Sequence, residues 1–267
     1  MNKPRMHFTH PYLLDPTNPV TVNLIGAGGT GSQVLHKLLA IHHCLKALNH
    51  PGLHVRLFDE DIVTDANPGR QLFSKAEIGL KKAVALILRV NRWEGTSWKA
   101  VPYNFSEERG EYIKASAAAN IFITCVDKIK PRFEIAGLIK QIKKRYVRMR
   151  DEPFYWLDCG NSEHTGQVIL ATVGKCKQPA SDIFTTVEEL PFITDEFKDV
   201  LLEQQKTEND TPSCSLAEAL AKQDLFINPD IANDCSALLW GLFRYGMTEN
   251  RGVFSDIKGF TRRPLKV

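Results

Sequence analysis

A glycine-rich turn between a β-type run and a helical run constrains the fold of this chain more than any other feature. The run 20–25 is rich in β-branched residues and leads into Gly26–Gly31, with the sequence GAGGTG. A helical pattern with one apolar face follows, made of Val34, Leu35, Leu38, Leu39 and Ile41. Such a turn lets the backbone approach a phosphate, and the start of a helix offers free N–H groups to an anion. The order of elements therefore favours a nucleotide site over a purely structural turn.

Strands and helices continue to alternate after this turn. Strand-like runs cover 53–58, 98–103, 120–126, 154–157 and 166–173, and helical patterns cover 76–90 and 131–144. A short, turn-rich link joins the last two strands, which predicts antiparallel pairing at one edge. The sequence therefore predicts an α/β fold: a Rossmann-like, mostly parallel sheet with helices on both faces and added antiparallel edge strands.

The chain divides into three predicted parts. Residues 1–175 form the nucleotide-binding domain, and 176–213 form an acidic crossover segment. Residues 214–267 form closing helices, at 216–225 and 231–243, and a tail that packs on the same domain. The acidic segment contains a stretch, 182–210, that has nine acidic and two basic residues, whereas 128–150 has nine basic and one acidic. A solvated surface is the simpler interpretation of both blocks, with a docking surface as the alternative.

Composition excludes several classes of protein. The chain has 267 residues, of which 43% are hydrophobic and 24% charged, so disordered, collagen-like and coiled-coil architectures are excluded. No apolar run approaches the ~18 residues of a membrane-spanning helix, and the N-terminus has no apolar signal segment. The net charge of +3 is too small to indicate a nucleic-acid partner. The cysteines show no C-x-x-C spacing, which favours reduced thiols in a cytoplasmic protein.

Charged residues follow the second strand at positions suited to a nucleotide. Asp59–Asp61 closes that strand, where a carboxylate can accept hydrogen bonds from ribose hydroxyls; NAD and ATP both remain possible at this point. Asn67 and Arg70 come next, and Lys82 opens a helix after Gly79. Hydride transfer has no need of two cations here, whereas a pyrophosphate leaving group does.

A further carboxylate, Asp127, ends the fourth strand. The carboxyl edge of an open α/β sheet is where ligands bind, and a carboxylate there can hold Mg²⁺ on phosphates. Each charged residue also has a simpler interpretation. Arg70 could form a surface ion pair, Lys82 could be solvated beside Lys81, Asp127 could cap a helix, and Asp61 could be a turn residue.

Together these motifs resemble the ThiF/MoeB/HesA family of ubiquitin-activating-enzyme-like adenylating proteins. The resemblance is carried by Gly26–Gly31, Asp59–Asp61, Asn67–Gln71, Lys82, Asp127 and the segment 166–168. It implies an adenylation domain over 1–175 that uses ATP and Mg²⁺ to adenylate the C-terminal carboxylate of a ubiquitin-like β-grasp protein. It also implies a homodimer. The segment 213–220 (SCSLAEAL) further resembles the plasmid-borne branch of ParB-related, ThiF-related cassettes, the PRTRC system.

The resemblance also implies a role for each site residue. Arg70 and Lys82 would contact the phosphates near the surface of the site, with Asn67 helping to position them, and Asp127 would coordinate Mg²⁺. Cys214 would take the acyl group as a thioester, a structural thiol being the alternative. The remaining nucleotide-binding positions are Gly26, Gly28, Gly29, Gly31, Asp61 and Asp59, the last holding ribose.

The chain departs from the family pattern in three respects. It lacks the paired C-x-x-C motifs, so a structural zinc is not expected. Lys128 follows Asp127 where asparagine is common, and the short N-terminus lacks the arginine entry motif. Two other functions remain open: a nicotinamide-dependent oxidoreductase, and a non-catalytic nucleotide-binding scaffold of a plasmid cassette.

Overall fold

A computed structural model describes residues 3–105, 117–207 and 215–267. Within these ranges the strands are β1 (Arg5–Phe8), β2 (Val20–Ile25), β3 (Leu53–Phe58), β4 (Lys99–Val101), β5 (Ile121–Thr124), β6 (Tyr155–Asn161), β7 (Thr165–Thr172), β8 (Thr185–Thr186), β9 (Met247–Thr248), β10 (Asn250–Asp256) and β11 (Thr261–Lys266). The helices are α1 (Pro11–Leu14), α2 (Gly29–Ala47), α3 (Lys82–Glu94), α4 (Ile129–Arg145), α5 (Ile193–Glu196), α6 (Lys198–Thr207), α7 (Leu216–Lys222) and α8 (Ile227–Tyr245). Each of these helices is too short or too polar to cross a bilayer.

An eight-stranded sheet organises the fold, with the order β11-β10-β7-β6-β5-β2-β3-β4. The strands from β6 to β4 in this order pair in parallel, and β7, β10 and β11 are antiparallel. The predicted fold class, including its antiparallel edge, is confirmed. A separate small sheet joins β8, β1 and β9. The hairpin of β10 and β11 extends the antiparallel edge with residues to which the sequence analysis assigned no strand.

Helices cover both faces of the sheet, and each face has its own apolar core. The core on one face includes residues of α2, α3 and α8, whereas the other includes residues of α4 and α6. Strand β5 shows how one segment serves both cores: Ile121 and Ile123 belong to the first and Phe122 to the second. Because both faces of such a strand are buried, it is apolar throughout rather than alternating.

The helix predicted over 76–90 is wrong in its first part. A 3-10 turn covers Lys75–Glu77, where Ser74 and Glu77 cap each other. Gly79 then takes a φ of +89°, a left-handed conformation that interrupts a right-handed helix. The helix α3 therefore begins only at Lys82, and this residue lies in its first turn.

Candidate nucleotide-binding site

The glycine-rich turn lies where the strand order reverses. Strand β2 pairs with β3 on one side and with β5 on the other, all in parallel. The segments that follow these three strands therefore meet at the carboxyl edge of the sheet, at the position where open α/β sheets bind ligands. The predicted motifs around Gly26–Gly31, Asp59 and Asp127 follow these strands and are brought to one place.

Two of the glycines are required by the packing of the turn itself. Gly26 has a φ of +96°, and a Cβ atom there would lie 2.6 Å from the carbonyl oxygen of Cys125. A Cβ atom on Gly31 would lie 1.9 Å from the carbonyl oxygen of Gly26. These distances are shorter than van der Waals contact with backbone atoms, so a side chain at either position would force the turn open.

The other two glycines differ in what surrounds them. A Cβ atom on Gly29 would lie 2.5 Å from the side chain of Asn228, so this glycine makes room for the chain's own packing. A Cβ atom on Gly28, in contrast, would meet no atom within 4 Å. It precedes the first turn of α2, and no side chain caps that helix start. Gly28 thus marks open space in front of a helix start whose N–H groups have no capping side chain, which suits an anion.

Asp59 ties the glycine turn to the end of β3. Its Oδ2 accepts the N–H of Ala27 at 2.6 Å, and its Oδ1 accepts the N–H of Asp61 at 3.0 Å. Burial raises the pKa of Asp59, while these two hydrogen bonds and Lys82 oppose the rise. Each carboxylate oxygen keeps a second lone pair, so the residue can hold the turn and still accept a ribose hydroxyl.

The side chain of Lys82 forms an ion pair with Asp61 and is more buried than expected. Its Nζ lies 2.8 Å from Oδ2 of Asp61, and its N–H donates to the carbonyl oxygen of Asp61 at 2.9 Å. Lys82 is only 8% exposed, so the expectation of a surface position is wrong for this cation. Its neighbour Lys81 is the exposed lysine of the two. Asp61 therefore positions Lys82.

Asn67 builds the turn that carries Arg70. The buried Asn67 accepts the N–H of Thr64 through Oδ1 at 2.8 Å. Its carbonyl oxygen accepts the N–H groups of Arg70 at 3.3 Å and Gln71 at 2.9 Å. The amide side chain is thus engaged within the loop, and its role in this structure is to shape the turn.

The guanidinium of Arg70 is partly enclosed and incompletely paired. Its Nη1 donates to Oε1 of Gln223 at 2.7 Å, whereas its buried Nε has no partner among the described residues. Burial lowers the pKa of Arg70, and the nearby carboxylate of Asp127 opposes this shift. A buried donor without an acceptor is unfavourable, and a bound anion would supply the acceptor.

Asp127 lies exposed beyond the end of β5. It forms no ion pair within the described part of the chain. The residue at the start of α4 is Lys128, without a side-chain capping bond. The described ranges contain no group of three or more His, Cys, Asp or Glu side chains arranged to hold a metal. Asp127 is therefore a single carboxylate, which is enough only for a cation also held by phosphates.

A polar network behind the glycine turn was not predicted from the sequence. Asn228, only 2% exposed, accepts hydrogen bonds from Thr30 Oγ1 and Asn161 Nδ2, both at 3.0 Å, and donates to Gln223 Oε1 at 2.9 Å. The network joins the first turn of α2 to Arg70. The only local signal for it is a run of polar residues before an apolar helix. The predicted nucleophile Cys214 lies outside the described residues.

Comparison with known proteins agrees with this architecture. The model of the ThiF family matches residues 14–235. The structure of E. coli MccB superimposes with a TM-score of 0.57 at 16% identity and covers 95% of this chain and 63% of that one. The E. coli MccB structure with ATP gives 0.55 at 14%, with 95% and 64% covered, and PaaA gives 0.55 at 11%, with 93% and 64% covered. No curated protein sequence matches the chain significantly.

The solved structures establish the fold, and the family model establishes the family. At these identities a structural likeness speaks for the fold alone, and the chain spans about 63% of the length of MccB. The family model, in contrast, covers most of the chain and all strands of the parallel part of the sheet. This chain belongs to the ThiF family.

Proposed function

We propose that this protein is an ATP-dependent adenylating enzyme that activates the C-terminal carboxylate of a ubiquitin-like β-grasp protein. The observation that carries the proposal is Arg70, a cation with a buried and unpaired Nε, linked through Gln223 and Asn228 to the start of α2. A phosphate chain is a ligand that would use both the helix start and this donor. Family membership supports the same chemistry.

The other groups of the site fit ATP. The open space at Gly28 and the uncapped helix start suit the phosphates. Lys82 adds a second cation, held by Asp61. Asp59, at the neighbouring strand end, has lone pairs left for ribose hydroxyls. Asp127 would hold Mg²⁺, which would neutralise charge on the phosphates.

The reaction needs little from the protein besides position and charge. The substrate carboxylate is already ionised at neutral pH, so no general base is required. Its oxygen attacks the α-phosphorus, a new O–P bond forms, and the bond to the β-phosphate oxygen breaks. The products are an acyl-adenylate and pyrophosphate. Arg70 and Lys82 would stabilise the charge that develops on the leaving pyrophosphate.

The proposal that the substrate is a ubiquitin-like β-grasp protein rests on the resemblance of the sequence to ubiquitin-activating proteins. E. coli MccB has been solved with AMPCPP and MccA, which shows that a protein of this fold binds a nucleotide together with a second molecule. The PRTRC assignment, the homodimer, the cytoplasmic location and the division at residues 175 and 213 are parts of the same proposal. Transfer of the acyl group from the adenylate to the Cys214 thiol would be a second step, in which a thioester forms and AMP leaves.

ATP–pyrophosphate exchange tests the proposal. With candidate β-grasp proteins, we expect label from pyrophosphate to enter ATP only when the partner ends in a free carboxylate. The matched control is the same partner with an amidated C-terminus, which should support no exchange. ATP binding without exchange by any partner would indicate a scaffold instead. Binding of NAD in preference to ATP would indicate an oxidoreductase.

A further inference from the structure

A neutral amide, that of Gln223, holds the guanidinium of Arg70. Its Oε1 accepts Nη1 of Arg70 at 2.7 Å and Nδ2 of Asn228 at 2.9 Å. Elsewhere in the chain a buried arginine is fixed by a carboxylate, as Arg132 is by Asp158 at 2.9 Å. A carboxylate orients a guanidinium and also neutralises it, whereas an amide oxygen only orients it. Arg70 is therefore fixed in place with its positive charge intact.

The position of Gln223 is itself fixed from two directions. The neighbouring N–H of Asp224 donates to the carbonyl oxygen of Glu163 at 2.9 Å, which anchors the link between α7 and α8 to the turn after β6. On the other side Asn228 is buried and bonded to Thr30 Oγ1 at 3.0 Å. The acceptor of Arg70 is thus attached to the helix start that faces the open space at Gly28.

The charged groups around Arg70 leave its guanidinium available to bind an anion. Asp127 is near enough to oppose the fall in the pKa of Arg70, but the two form no ion pair in the described part of the chain. The Nε atom is buried and has no acceptor among the described residues. A ligand with anionic oxygens would therefore meet an oriented cation with one donor unused.

We infer that Gln223 is a positioning residue that aims Arg70 at the phosphates of ATP without neutralising it, an inference that rests on the function proposed above. Its amide is the reason that the guanidinium is both ordered and free to bind an anion. A glutamate at this position would keep both observed hydrogen bonds, because only Oε1 takes part in them. It would also add a negative charge that competes with phosphate.

The test compares Gln223→Glu with Gln223→Ala and with Gln141→Glu, which adds the same charge at an exposed position of α4. Binding of MgATP is measured by isothermal titration calorimetry, and folding by the thermal unfolding midpoint. We expect Gln223→Glu to keep the wild-type midpoint but to bind MgATP about 10- to 100-fold more weakly, since a like charge lies beside the phosphates. Gln223→Ala should weaken binding less, and Gln141→Glu should bind as the wild type does.

A role in folding alone predicts the opposite order, because glutamate preserves the hydrogen bonds and alanine removes them. Wild-type affinity in Gln223→Glu, beside a loss in Gln223→Ala, would overturn the inference and leave the proposed function standing. A wild-type protein that binds no MgATP would overturn both. Added salt should reduce the difference in MgATP affinity between Gln223→Glu and the wild type, because salt screens the added charge.

Discussion

Replacing Lys82 by alanine should separate catalysis from folding, because a matched neighbour is available. Lys82 is 8% exposed and its Nζ lies 2.8 Å from Asp61. Lys81 precedes it, is exposed and donates to the carbonyl oxygen of Glu60 at 2.5 Å. If Lys82 is the phosphate-binding cation, Lys82→Ala should lower exchange and Lys81→Ala should not.

The size of each effect follows from the environment of Lys82. Loss of one preorganised charge-stabilising group lowers turnover by about 10²–10³-fold. For folding, the ion pair contributes less than about 1 kcal/mol, because the Asp61 side chain is 63% exposed. The three buried methylene groups add about 2 kcal/mol, which the freed rotamer entropy largely offsets. We therefore expect Lys82→Ala to lower the free energy of unfolding by only about 1 kcal/mol.

The assay is ATP–pyrophosphate exchange with a partner that supports it, run beside urea unfolding of the same preparations. Lys81→Ala should lie within about 0.5 kcal/mol of the wild type in stability and should exchange normally. Wild-type exchange in a folded Lys82→Ala protein would refute the assignment of this residue to the phosphates. Equal losses in both variants would show that a general loss of positive charge, and not one positioned cation, is responsible.

Three other expectations concern the glycine turn, Asp59 and Cys214. Gly28→Ala should fold as the wild type does but bind ATP more weakly, whereas Gly31→Ala should lower the thermal unfolding midpoint sharply because its Cβ would lie 1.9 Å from a backbone oxygen; similar midpoints would contradict this. The raised pKa of Asp59 means that the folded state holds its proton more tightly, so its contribution to stability is full below its ordinary pKa of 3.8 and falls as the pH rises through the raised value. In urea unfolding of Asp59→Asn, the free energy of unfolding should lack this fall with rising pH. The same fall in the variant as in the wild type would exclude Asp59 as its source. Cys214→Ala should retain pyrophosphate exchange but lose any thiol-sensitive conjugate, and a conjugate that still forms would exclude the thioester role.

Local sequence patterns predicted the parts of the site that local structure builds. The turn Gly26–Gly31, the strand β2 before it and the helix α2 after it follow from a β-branched run, glycines and one apolar helix face, and β3 has the predicted bounds of 53–58. Asp59 was predicted at the end of that strand for the same reason. These features need only short stretches of chain, so their patterns carry enough information.

Contacts between segments far apart in the sequence could not be predicted from such local patterns. Gln223 and Asn228 meet Arg70 and Thr30 only because α8 packs against α2, and more than 150 positions separate Arg70 from Gln223. The burial of Lys82 depends on the break at Gly79, which delays the start of α3. A glycine with positive φ cannot be told from an ordinary helix glycine by periodicity alone.

A structure of the protein with AMPCPP and Mg²⁺ would show directly whether the glycine turn binds the nucleotide. We expect the triphosphate to lie in front of the first turn of α2, over Gly28. We also expect Nε of Arg70 and Nζ of Lys82 to donate to phosphate oxygens while Gln223 keeps its hydrogen bond to Arg70. A nucleotide bound elsewhere on the sheet edge, or bound at the glycine turn with Nε of Arg70 still unpaired, would contradict this expectation.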